Sequence, residues 1–230
     1  MTTISNALQV VRERIARAAA QSARVPTSIA LLAVSKTFGP ELIRGAVSAG
    51  QRAFGESYLQ EALPKIAALS DLAIEWHFIG PLQSNKTKSI AQSFAWVHSV
   101  DRAKIAQRLA EHRGPDLPPL NICLQVNVSG EASKSGVAPS ELIALARAVD
   151  ALPHLNLRGL MAIPAPTDDV EAQRAAFRRV RGLFEQLKIE GFALDTLSMG
   201  MSHDLEAAIQ EGATIVRIGS AIFGERKATE

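Results

Sequence analysis

Residues 28–40 read SIALLAVSKTFGP. Leu31 to Val34 form a continuous apolar run that meets Ser35 and Lys36 and then breaks at Gly39-Pro40. A short apolar run closed by turn residues predicts a buried strand. Lys36 then stands where that strand is about to end. Desolvation disfavours an ammonium there and draws its pKa down from about 10.4. A lysine so placed is a candidate Schiff-base nucleophile for a carbonyl. The alternative, from this stretch alone, is a strand-end lysine that reaches out to solvent.

Working outward, the same kind of run recurs along the chain. AFGE begins at Ala53, IEWHFIG at Ile74, AWVHSV at Ala95 and NICLQVNV at Asn121. LNLRGLMAI follows at Leu155, DTLSMGMS at Asp195 and TIVRIGS at Thr214. Between them lie segments rich in Ala, Leu, Glu and Arg, such as DRAKIAQRLAEHRG and DDVEAQRAAFRRVRGLFEQL, with the character of helices. Gly50, Gly114 and Gly191 fall at helix ends, where a left-handed cap is wanted. Ser140 and Asp168 are placed to open helices as N-caps. Ahead of the first strand, Ile4, Leu8, Val11, Ile15 and Ala18 keep helical spacing, so an extra N-terminal helix packs one face on the body.

Strand then helix, repeated about eight times, predicts an α/β fold, a single (β/α)8 TIM barrel spanning residues 1–230 with that extra helix. A doubly wound open sheet is the alternative. The count near eight, and the absence of GxGxxG after the first strand, favour the barrel.

Bulk composition narrows the class. The chain has 230 residues, 47% hydrophobic and 21% charged, enough for one large core. A net charge of +2 and 5% aromatics do not suit a dedicated nucleic-acid binder. A single cysteine, Cys123, excludes an internal disulfide framework and fits a reducing compartment, so a cytoplasmic location is expected. No apolar run approaches the roughly 18 residues of a membrane span, and the N-terminus lacks the apolar core of a secretory signal.

In a TIM barrel the chemistry sits at the C-terminal strand ends, and the loops after strands seven and eight commonly hold phosphate. Here those loops read SMGMSHD and RIGSAIFG. Gly200 and Gly219 let the backbone approach closely, Ser202 and Ser220 add hydroxyls, and helices starting nearby aim N–H groups at an anion. Alone, either loop reads equally well as a tight turn. Arg217 alternates with Val216 and Ile218 in the last strand, and a strand arginine needs an acid or a ligand. An aldehyde-accepting lysine, a strand-eight arginine and a phosphate cradle together point to pyridoxal 5′-phosphate (PLP).

LLAVSK, FGESYLQE, WHFIGPLQSNK, VNVSGEASKSGV, LRGLMAI, LSMGMSHDLEAAI and VRIGSAIFGER, in that order, resemble the pyridoxal-phosphate homeostasis protein family. Its barrel is similar to the N-terminal domain of alanine racemase. The resemblance implies that Lys36 forms the internal aldimine with PLP and that Arg217 hydrogen-bonds the pyridine nitrogen. It implies that Ser202, Gly219 and Ser220 hold the phosphate, with Met199, Gly200 and Met201 shaping that loop. Val34 would lie beneath the ring, and His77 and Asn85 would line the mouth. The family usually has Asn where this chain has Ser57, which puts a cofactor contact there in doubt; a helix N-cap role for Ser57 survives the change.

Guanidinium only donates, so its pyridine partner must stay unprotonated, a weaker electron sink. Racemisation also needs an acid/base group on each face of the substrate carbon. The resemblance implies that alanine racemase takes its second base, a tyrosine, from a further domain of the partner subunit. Here the only tyrosine, Tyr58, reads as a packing or mouth residue. The expectation is a PLP-binding protein that stores or hands over its cofactor, with no catalytic residue assigned. PLP-dependent apo-enzymes are the candidate recipients, and a monomer is expected. Lys134, in a Gly- and Ser-flanked loop, is either part of that transfer or a solvated loop lysine. The alternative function is a low-activity PLP-dependent amino-acid racemase. A metal enzyme built on His77, His98 and His203 is the weakest reading, because few acids sit nearby and no HExxH spacing exists. Trp76 and Trp96 are expected between strand and helix, and Cys123 as a small buried hydrophobe.

Overall fold

The computed structural model describes residues 3–130 and 135–225. Its strands are β1 (Ala30–Val34), β2 (Ala53–Glu56), β3 (Glu75–Phe78), β4 (Trp96–Val100), β5 (Leu120–Gln125), β6 (Leu155–Met161), β7 (Thr196–Ser198) and β8 (Ile215–Ile218). They close in sequence order into one parallel barrel, β8 pairing back onto β1 through Leu32 opposite Arg217. This is a (β/α)8 barrel: right-handed crossovers through the helices are the way parallel neighbours are joined.

The helices are α1 (Ile4–Gln21), α2 (Pro40–Ser48), α3 (Leu59–Ala68), α4 (Thr87–Ser93), α5 (Ala103–His112), α6 (Leu142–Asp150), α7 (Val170–Ile189), α8 (Leu205–Gln210) and α9 (Ser220–Phe223). α2 starts because Pro40 occupies its first turn, where a missing N–H costs nothing. α1 precedes the barrel and buries Leu8, Val11, Ile15 and Ala18 at helical spacing, packing on α2, α8 and α9. Gly50 and Gly191 close α2 and α7 at φ +84° and +98°, as left-handed caps do.

Several local assignments shift. Asp169, not Asp168, caps α7, its carboxylate accepting from the N–H groups of Glu171 and Ala172. Ser140 lies inside a 3-10 turn, Pro139–Glu141, that leads into α6. Tyr58, not Ser57, is the N-cap residue of α3, and it caps without its side chain. Gly114 has no positive φ, because α5 ends through an extended Arg113.

The core has two compartments. The larger lies between strands and helices and takes the outward residues of each strand, such as Phe54, Trp76, Phe78, Val97 and Val216. The smaller, Trp96, Cys123 and Met161, lies within the barrel. Alternation along a strand decides which compartment a residue enters. Trp96 therefore stacks inside on His77, with ring centroids 5.3 Å apart, whereas Trp76 faces outward against Phe54. Cys123 is fully buried there, and burial pushes its thiol up to about 12.

Candidate functional site

A cavity of about 280 Å³ opens among the loops that follow the strands, near the lower end of the range for ligand pockets. The opening and closing strands meet there. Val34 ends β1, and Lys36 follows two residues later; both line the cavity. From β8 come Arg217 and the turn residues Gly219 and Ser220, and from the loop after β7 come Met201 and Ser202. Ser57, just past β2, completes the set of expected residues. Sequence reasoning missed Phe38, Ile79, Ile163 and Gly224, which also line it, and weighed His203, another lining residue, only as a metal ligand. Ile79 and Ile163 could have been found as the isoleucines one and two residues beyond the ends of β3 and β6.

Four expected residues lie elsewhere. Asn85 is exposed in a 3-10 turn, Ser84–Lys86, that precedes α4. Met199 is fully buried behind the loop it begins. Gly200 does not face the cavity, but its carbonyl accepts the Arg217 backbone N–H at 2.9 Å. His77 is not at the mouth: it lies inside the barrel, 3% exposed, between Glu75 and His98. Its place one residue before the end of β3 turns it inward, below the level of the loops. Tyr58 is 45% exposed and does not line the cavity. Lys134 lies outside the described residues.

Each side chain is held by its own scaffold. Ser35, immediately before Lys36, is fully buried. Its hydroxyl donates to Glu56 Oε1 at 2.7 Å, and its carbonyl accepts from Lys65 Nζ at 3.0 Å. Lys65 also donates to both Glu56 oxygens at 2.9 and 3.1 Å. Desolvation pushes the Glu56 carboxyl up, against the hydrogen bond from Ser35 and the pull of Lys65. On the other side of Lys36, Thr37 adopts φ +70°, and its N–H donates to Glu61 at 3.0 Å. A β-branched residue in the left-handed region is strained, and such strain gathers where surroundings over-determine a site.

Arg217 is 4% exposed. Its Nη1 donates to the carbonyl and the hydroxyl of Ser198 at 2.6 and 2.9 Å, and Nη2 donates to the Ala162 carbonyl at 3.0 Å. A guanidinium has five donors, so two are left for an occupant of the cavity it lines. Burial draws its pKa down to about 10, which leaves it charged at neutral pH.

The loop between β7 and α8 turns at Gly200, φ +93°. A Cβ there would lie 2.5 Å from Ala208 Cβ, so glycine is required. Asp204 accepts the Met201 N–H, and the Ser202 and Ser220 hydroxyls sit 3.3 Å apart across the two loops. Arg14, reaching over from α1, donates to the Ser202 carbonyl at 3.1 Å and grips Glu206 at 2.9 and 3.0 Å. Gly219 packs against β1; a Cβ on it would sit 3.2 Å from the Val34 carbonyl oxygen. Two hydroxyls and short backbone turns thus face an amine and a guanidinium across one small cavity with an apolar wall. That donor set suits a phosphorylated aromatic aldehyde. Among the described residues no group of three His, Cys, Asp or Glu side chains gathers to hold a metal ion, and no helix is long and apolar enough to cross a membrane.

Comparison with known proteins agrees with this geometry. Residues 8–227 match the family described as alanine racemase, N-terminal domain. A Pseudomonas aeruginosa protein named pyridoxal phosphate homeostasis protein is 62% identical over 226 residues, covering 98% of this chain and 97% of its own. The chain belongs to the pyridoxal phosphate homeostasis protein family. The Escherichia coli member is 51% identical over 229 residues, covering 98% of each chain. The solved structure of PipY from Synechococcus elongatus with PLP bound is 38% identical, with a TM-score of 0.81 over 91% of this chain and all of that one. Within this homeostasis family fold, the amine, the guanidinium and the hydroxyl cradle converge because β1 and β8 are barrel neighbours.

Proposed function

We propose that this protein binds PLP in the cavity between β1 and β8 and serves intracellular PLP homeostasis by holding and releasing it. The observation that carries the reading is the convergence of Lys36, Arg217, Ser202, Gly219 and Ser220 on one cavity. In this reading Lys36 Nζ attacks the cofactor aldehyde and water leaves, so that a Schiff base ties PLP to the chain. Val34 and Ile163 supply the apolar walls, and Ser202, Ser220 and the Gly219 turn hold the phosphate. Arg217 donates to the pyridine nitrogen and, having no proton to release at neutral pH, keeps that nitrogen an acceptor. Bound PLP supplies an electrophilic aldehyde and an electron sink; with an unprotonated ring the sink is weak. A weak sink favours holding the cofactor over rapid amino-acid turnover. A cytoplasmic monomer that passes PLP to apo-enzymes is the form we infer.

Absorbance after addition of PLP tests the assignment. The wild type should develop an imine band near the visible edge that borohydride removes. Lys36→Ala should not; if it retains the band, the lysine assignment fails.

A further inference from the structure

A continuous file of polar side chains crosses the barrel interior. Glu75 opens it at the N-terminal end of β3, the barrel face opposite the cavity, where its side chain is 52% exposed. Glu75 Oε1 lies 2.9 Å from His77 Nε2, and His77 Nδ1 lies 2.9 Å from His98 Nε2. His98 Nδ1 lies 2.8 Å from Ser198 Oγ, which in turn accepts from Arg217 Nη1 at 2.9 Å. His98 is on β4 and Ser198 on β7, so that link spans the lumen between strands that are not neighbours.

The donor and acceptor roles follow from the two ends. Burial holds both imidazoles below the usual histidine range, most of all His98, so each ring carries one N–H. An ionised carboxylate only accepts, so His77 must present Nε2–H to Glu75. His77 Nδ1 is then an acceptor and takes the Nε2–H of His98. His98 Nδ1 is left to accept the Ser198 hydroxyl proton. Ser198 thereby turns only lone pairs toward Arg217. Were the file reversed, Nδ1–H of His98 would take one of the two Ser198 lone pairs, and the hydroxyl proton, no longer held by His98, would be free to turn.

We propose that Glu75, from the opposite face, sets the polarity of the His77–His98–Ser198 file and so holds Ser198 as an acceptor that orients Arg217. These four are positioning residues for Arg217. The proposal rests on the PLP reading only for its last link, from Arg217 to the ligand.

Nitrogen-15 NMR of the imidazoles in the ligand-free protein at pH 7.5 reads the tautomers directly. Both rings should be neutral with the proton on Nε2; a proton on Nδ1 of either ring, or a cation, overturns the proposal. Glu75→Gln supplies the second arm, because a carboxamide donates as well as accepts. An Nδ1–H population should then appear at His98, and the PLP dissociation constant should rise about three- to tenfold, the worth of one hydrogen bond. Unchanged tautomers with affinity within twofold of wild type would overturn it. A wild type that takes up no PLP removes the function proposed above, while the tautomers still decide whether the file has this polarity.

Discussion

Lys65 Nζ sits 2.9 Å from Glu56 Oε1 with 0% of the Glu56 side chain exposed, one layer behind the backbone that carries Lys36. The pair therefore does two things: it neutralises a buried charge, and through Ser35 it fixes the chain just before the reactive amine.

Removing one partner should expose the cost of the other. Lys65→Met leaves a desolvated carboxylate and should destabilise the fold by about 3–5 kcal/mol, read as a fall in the urea midpoint at unchanged slope. The double variant Glu56→Gln/Lys65→Met should lose less than the two single variants added together, as expected for groups in contact. A Lys65→Met loss under about 1 kcal/mol would mean that the pair is solvated.

Thr37, at φ +70°, is a second lever on Lys36. Thr37→Gly relieves the strain and should raise stability by about 1 kcal/mol after the added chain entropy is subtracted. Thr37→Val keeps the branch and should show no gain. Calorimetric midpoints compare the two. Freed backbone beside the amine should also slow formation of the imine band in Thr37→Gly, measured by stopped-flow absorbance.

Gly200 supports the loop between β7 and α8 from behind. Gly200→Ala places a Cβ 2.5 Å from Ala208 Cβ at a φ of +93°. The overlap and strain should cost roughly 2–4 kcal/mol and displace the carbonyl that holds the Arg217 backbone. PLP affinity should fall with stability. Gly39→Ala, where nothing lies within 4 Å and φ is negative, should leave both unchanged.

His77 and His98 make stability depend on pH. Desolvation lowers both folded-state values, opposed at His77 by Glu75 and reinforced at His98 by His77 and Arg217. Trp96 and Ser198 also face the pair. The unfolded chain takes up protons near 6.5, whereas the folded chain resists. Their contribution is therefore complete above about 6.5 and declines as pH falls below it, by up to about 1.4 kcal/mol per pH unit for each ring. Urea unfolding at pH 7.5, 6.5 and 5.5 should show this decline. A flat profile would mean that the rings take up protons in the fold as readily as in the unfolded chain.

The sequence alone determined the barrel, because eight buried runs separated by helical segments have few other ways to hide their apolar faces. It also determined the cavity's principal residues: in a parallel barrel every strand end points to one rim, so Lys36, Ser202, Arg217, Gly219 and Ser220 could be brought together on paper. Tertiary structure decided the rest. Strand alternation says that His77, His98 and Trp96 share one side, but not which side chains meet across the lumen. His98 and Ser198 are 100 residues apart and on strands that never pair. The Glu56–Lys65 clamp and the grip of Arg14 on Ser202 likewise join separate elements. Such contacts depend on barrel closure and side-chain reach, which a local pattern of residues does not encode.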